Sequence, residues 1–161
     1  MSALKAWKQA EKACYDYLIE VTESSDGSTA FLGDDLPGDK LNVWAFQISE
    51  GPEQTQNYQR SAPACQWLAN ASLLGHFQHR SDALDFAGII MNRVPPQKND
   101  NNTGTCGMAN RGLPPNVNLF EITNFPSLVS VPVLVDEDED IEITIWALSM
   151  SFRVEFGNEQ N

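Results

Sequence analysis

Long apolar runs are missing from this sequence of 161 residues. A helix needs about 20 consecutive apolar residues to cross a bilayer, and no stretch of the chain approaches that length. The N-terminal segment MSALKAWKQAEKACYDYL is amphipathic, whereas the centre of a signal peptide is apolar throughout. We therefore expect a soluble protein that is made in the cytoplasm and binds no membrane.

Cysteine and histidine are scarce, which limits disulfides, metal sites and acid–base catalysis. The three cysteines form no CxxC pair, so we expect reduced thiols. The two histidines, His76 and His79, would lie on opposite faces of a strand and could not readily share a metal. A nucleophilic Cys106 with His76 as its base is the one catalytic alternative. Because no GxSxG, HExxH, P-loop or GxGxxG motif occurs, we predict no enzyme and no catalytic, cofactor-binding or metal-binding residue.

Basic residues are few as well. Ten lysines and arginines stand against 22 acidic residues, which gives a formal net charge of −12. Such a chain repels phosphate backbones at long range, so we expect no specific nucleic-acid binding. The acidic run at 136–140 could attract a hard cation. It lacks the spacing of an EF-hand loop, however, and we interpret it as a solvated turn.

The remaining composition is that of one globular domain spanning 1–161. Hydrophobic residues make up 42% of the chain, too many for a disordered protein, and the length suffices for a core without disulfides. The segment 95–115 is rich in Asn, Gly and Pro and is predicted to be a long polar loop. Residues 157–161 are predicted to form a flexible C-terminal tail.

Hydrophobic periodicity predicts the elements of the first two thirds. Residues 2–23 form an amphipathic helix, 41–49 a buried strand, and 51–63 an exposed loop or the tip of a hairpin. Strict alternation over 65–77 indicates a long strand with one buried face. A second helix follows, with Ser81 as its N-cap and Leu84, Ala87, Ile90 and Met91 facing inward.

The C-terminal third is predicted to contain three strands, NVNLFEIT, SLVSVPVLV and IEITIWALSMSFRVEF, of which the last two form a hairpin. Pro132 places the middle strand at a sheet edge. The apolar parity of the last strand changes near Ile145, which indicates either a β-bulge or burial on both faces. The predicted class is α+β, with a mainly antiparallel sheet, two helices packed on one face and a C-terminal β-hairpin.

This order of an amphipathic helix, a long strand, the helix RSDALDFAGIIMNRVP and a hairpin ending in ITIWALSMSFRVEF resembles the tail terminator (tail completion) proteins of long-tailed bacteriophages. The resemblance spans most of the chain and lies in order, length and pattern. It implies an α+β subunit of a homohexameric ring that caps the tail tube, stops its polymerisation and provides the head-joining surface. It also implies a virion location at the head–tail joint, after assembly in the host cytoplasm.

The partners implied by the resemblance are further copies of the chain, the tail tube protein and the head–tail connector protein, with DNA passing through the lumen. The loop at 95–115 is longer than such a domain needs, so we select Asn99, Asn101, Thr103 and Arg111 as candidate partner contacts. A head-to-tail connector or head-completion protein is the nearest alternative. A small ligand-binding or enzymatic α+β domain is an alternative of another class, and oligomeric state separates it from the first two.

Overall fold

The computed structural model describes residues 3–33, 36–37, 40–49, 53–55, 66–94, 113–114, 117–136, 138 and 141–157. Most of the predicted loop 95–115 and the tail after Gly157 therefore lie outside the described residues. The elements are α1 (Ala3–Thr22), β1 (Ala30–Leu32), β2 (Val43–Ile48), β3 (Glu53–Thr55), β4 (Gln66–Phe77), α2 (Arg80–Arg93), β5 (Val117–Ile122), β6 (Ser127–Asp136) and β7 (Ile141–Gly157).

All seven described strands belong to one sheet, in the order β1-β2-β4-β7-β5. β3 pairs with β4, in the segment that the sequence predicted as a loop or hairpin tip, and β6 pairs with β7. β4 and β7 form the centre, in an unbroken ladder from Gln66 opposite Gly157 to Phe77 opposite Trp146. Only β1 runs parallel to its neighbour. The α+β class is confirmed, and the sheet is mixed because of β1, a strand that the sequence did not predict.

Both helices pack on one face of the sheet, as predicted. The alternation of β4 and β7 places Leu73 and Phe152 on this face, where they meet Cys14 of α1 and Ile90 of α2 in a single core. The Phe152 ring lies 6.0 Å from that of Phe46. Trp44 belongs to this core, and the other three tryptophans pack against it.

The second helix differs from its prediction in both its start and its buried face. Its N-cap is His79, which makes no side-chain capping bond, and Ser81 lies inside the first turn. Ala87 and Ile90 are buried as expected, whereas Leu84 and Met91 are exposed. Apolar residues occur on several sides of this helix, so periodicity alone could not select the face that packs.

The C-terminal hairpin continues beyond the end of β4. Below the Phe77–Trp146 pair, residues 141–145 of β7 pair with residues 131–136 of β6, and we call this two-stranded extension the arm. The register shift lies between Leu134 and Asp136, so the alternative of a bulge near Ile145 is wrong. Ile145 is buried on the face opposite the helices, which confirms burial on both faces at this point of β7.

Candidate interaction surface

One face of the hairpin is apolar and open to solvent. Because side chains alternate along a strand, Val129 and Val131 of β6 lie on the same face as Ile143 and Ile145 of β7. We call Val131, Ile141 and Ile143 of the arm, together with Val129 just before it, the arm face. These four side chains are between 37% and 54% exposed. Exposed apolar residues grouped in this way are typical of interaction surfaces.

The backbone of the arm also has open edges. Among the described residues, β6 pairs only with β7, so its outer edge carries unpaired N–H and C=O groups. On the other side of the arm, β4 has already ended at Phe77, and residues 141–145 have no described strand beside them. Such edges accept a further strand from another chain. Pro132 lies in β6, at an edge position within the described sheet, as predicted.

The far end of the arm is strongly acidic. The four residues between β6 and β7 are all Asp or Glu in the sequence. Of these, Asp138 is described and exposed, and Glu142 at the start of β7 is exposed too. In the described part of the chain, no three His, Cys, Asp or Glu side chains are grouped so as to hold a metal ion.

A second surface feature lies along α1. Lys5, Lys8 and Lys12 are exposed on the N-terminal half of the helix and line an open groove of about 790 Å³. The spacing of three and four residues places them on one side of the helix. Asp16, which pairs with Lys12 at 2.7 Å, and Glu20 lie towards the other end of the groove. The groove thus has a basic half and an acidic half.

The apolar residues that line the groove show where the groove lies relative to the sheet. Leu113 and Pro114 line the groove together with Ala13 and Tyr17 of α1. The carbonyl of Pro114 accepts a hydrogen bond from the backbone N–H of Val117 at 3.1 Å. Since Val117 lies opposite Phe156 of β7, the groove is near the C-terminal end of β7. The arm is at the N-terminal end of the same strand.

Cys14 is the one cysteine among the described residues. Cys14 is fully buried, and burial, followed by the charge of Glu11, raises the pKa of its thiol far above the ordinary value. A thiol that stays protonated is a poor nucleophile. Cys106, required for the catalytic alternative with His76, lies outside the described residues. The predicted contact residues Asn99, Asn101, Thr103 and Arg111 also lie outside them.

The two histidines have separate environments. Burial lowers the pKa of His76, and its Nδ1 atom is buried without a hydrogen-bond partner among the described residues. His79 is exposed at the start of α2. His76 lies opposite Val43 and Ala147, so its cross-strand neighbours are uncharged. Nothing in this arrangement resembles an acid–base pair.

Sequence reasoning missed both surfaces as functional features. Their signals were present, in the alternating Val129, Val131, Ile141 and Ile143 and in the lysines of α1.

A scan against protein-family models finds no match to this chain, and a search of curated proteins also finds none. No helix in the described ranges is both long and apolar enough to span a membrane. The arm face and the α1 groove are therefore the basis for a functional conclusion.

Proposed function

We propose that this chain is a tail terminator protein of a long-tailed bacteriophage. In this proposal it forms a ring, expected to be hexameric, that caps the tail tube, stops its polymerisation and provides the surface that the head joins. The α+β architecture, which the sequence resemblance implies, supports the proposal. The observation that carries the proposal is the arm. Its exposed apolar face and its open strand edges suit a protein whose neighbouring subunits cover the face and pair with the edges.

The energetics of a hairpin explain why the arm supports assembly. Two strands alone are marginally stable in water, because they bury little apolar surface. In this chain, Val131 and Ile143 stay exposed on the arm, because they lie on the face of the sheet opposite the helices. Covering each such side chain is worth roughly 1 to 2 kcal/mol at about 25 cal/mol per Å². An adjoining subunit or the tube would supply that cover.

The charge of the chain is compatible with the same role. A net charge of −12 opposes retention of DNA, which suits a ring whose lumen the genome crosses. A connector or head-completion protein would share this property. The two roles differ in their partner, since a terminator binds the end of the tail tube and a connector binds the head vertex.

The direct test mixes the purified chain with the tail tube protein of the same genome. Light scattering should give a hexameric mass, and negative-stain images should show rings on one end of each tube. Tubes polymerised with the chain present should be shorter than tubes polymerised without it. Equal length distributions and bare ends would overturn the proposal, and binding to head vertices in place of tubes would favour the connector.

The groove on α1 favours a second candidate, a small ligand-binding domain. Its volume of about 790 Å³ is within the range of ligand pockets, and its wall is partly apolar. This candidate predicts a monomer whose melting temperature rises with a small amphiphilic compound. A ring-forming chain that gives no such shift would dismiss it.

A further inference from the structure

We propose that the arm of one copy docks in the α1 groove of a second copy, with the acidic end of the arm against Lys5 and Lys8. This inference deepens the proposed ring-forming function and rests on it. It names the two surfaces that join neighbouring subunits and the charges that orient them.

The two surfaces cannot meet within one copy. The arm begins at Ile141, and the groove adjoins Val117, which lies opposite Phe156. Fifteen residues of one continuous strand separate Ile141 from Phe156, a distance of roughly 50 Å at 3.3 Å per residue. β7 is paired with β6 along the arm and held between β4 and its other neighbours after Trp146, so it does not fold back over that distance. Any contact between the arm and the groove is therefore a contact between copies.

The two surfaces are complementary in charge and in polarity. The segment that joins the two strands of the arm is wholly acidic in the sequence, and its described residue Asp138 is exposed, as is Glu142; Lys5, Lys8 and Lys12 line the basic half of the groove. Only ten residues of the chain are Lys or Arg, so three on one side of a single helix make an unusual local surplus. Beside them, Leu113 and Ala13 offer apolar contacts for the arm face. Opposite charges of this kind steer association and fix orientation.

The symmetry of this contact suits a ring. The arm and the groove are different patches, so the interface is heterologous, and each copy keeps one free arm and one free groove after pairing. Repetition of such a contact closes into a ring when the rotation between neighbours permits it, and otherwise gives a filament. An interface in which identical patches met would stop at a dimer.

Charge reversal tests the proposed contact. Lys8→Glu and Asp138→Lys change exposed residues on the groove and on the arm. Each substitution alone places like charges opposite each other, and each should weaken self-association about threefold to tenfold. In an equimolar mixture of the two variants, the unchanged arm of one variant meets the unchanged groove of the other, and the changed arm meets the changed groove. Every contact then joins opposite charges, so association should return to the wild-type value. Lys40→Glu makes the same charge change beside Phe31 of β1 and should have no effect.

An apolar variant tests the arm face independently. Val131→Ser combined with Ile143→Ser should leave circular dichroism unchanged, because both side chains are exposed, and should shift the wild-type multimer to monomer by light scattering. If the double variant fails to fold, the charge pair still decides. Multimers that persist in all variants would overturn the contact between arm and groove, and so would a mixture of the charge variants that does not regain wild-type association. Either result would still allow a ring formed through other surfaces. A wild-type chain that stays monomeric would also overturn the contact between arm and groove. Binding to tube ends would then test the terminator role separately.

Discussion

Phe77, the last residue of β4, lies directly opposite Trp146 of β7, and this pair marks the end of the helix-covered sheet. From Trp146 onwards, alternate residues of β7 pack into the core, whereas Ile141 and Ile143 before it are exposed. One strand therefore carries both the core and the arm. Because the core half is held between β4 and β5, the direction of the arm is fixed by the folded domain.

The anchoring half of β7 should be sensitive to truncation. Phe152 is fully buried, and its ring lies 6.0 Å from Phe46 and 5.1 Å from Phe120. We expect Phe152→Ala to lower the free energy of unfolding by about 3 to 5 kcal/mol, measured by urea denaturation. Phe125 is 85% exposed, so Phe125→Ala is the matched control and should change it by less than about 0.5 kcal/mol. Equal effects of the two substitutions would refute the burial of Phe152.

Two glycines allow the same substitution with opposite results. A Cβ atom on Gly75 would lie 2.6 Å from Cε2 of Phe77, whose ring is buried and packs 5.2 Å from that of Phe86. This buried ring would have to shift to admit the new methyl group, so Gly75→Ala should destabilise the fold by about 1 to 3 kcal/mol.

Gly88 lies inside α2, and a Cβ atom there would meet nothing within 4 Å. Gly88→Ala should therefore stabilise the fold by about 0.5 to 1 kcal/mol, because alanine favours the helix. Thermal denaturation of both variants checks the pair. A Gly75→Ala protein as stable as wild type would show that the β4–β7 centre is packed more loosely than described.

A single side chain completes the hydrogen bonding of β2. β1 ends at Leu32, opposite Phe46, and the backbone N–H of Ile48 beyond it donates to Oε2 of Glu11 at 2.8 Å. Glu11→Ala would leave this part-buried N–H without its partner and should cost about 1 to 3 kcal/mol. Glu11→Gln keeps an acceptor oxygen and should cost clearly less. Equal losses for both variants would mean that the charge of Glu11, not its hydrogen bond, stabilises the fold.

The sequence predicts elements best where burial is one-sided. α1 and β4 match their predictions within one or two residues, because each shows one buried and one polar face. β1 was missed, since three residues are too short to show any period. The exposure of the arm could not be predicted either, because Ile141, Ile143 and Ile145 alternate as core residues do. These side chains lie on the sheet face opposite the helices, and that placement is a feature of the tertiary structure.

The partly buried His76 predicts a pH dependence. Burial holds the pKa of His76 below its ordinary value, so between that lowered pKa and about 6.5 the unfolded chain binds a proton that the folded chain does not. Stability should therefore fall as pH drops below about 6.5, and His76→Gln should reduce this slope. Urea midpoints from pH 7.5 to 5 measure it, and identical slopes in wild type and His76→Gln would contradict the prediction.

The long loop offers a last test, of assembly without loss of folding. Replacing residues 95–112 with a short Gly-Ser bridge removes Asn99, Asn101, Thr103 and Arg111 but keeps Leu113 and Pro114, which line the α1 groove. Loop closure entropy changes only slowly with length, so the melting temperature should stay close to that of wild type. If the loop contacts partners, ring formation or tube binding should be lost. A loop-length variant with only the four candidate contacts changed to Ala separates contact from length. Normal assembly by the shortened chain would exclude the loop and leave the arm and the groove as the surfaces that join subunits.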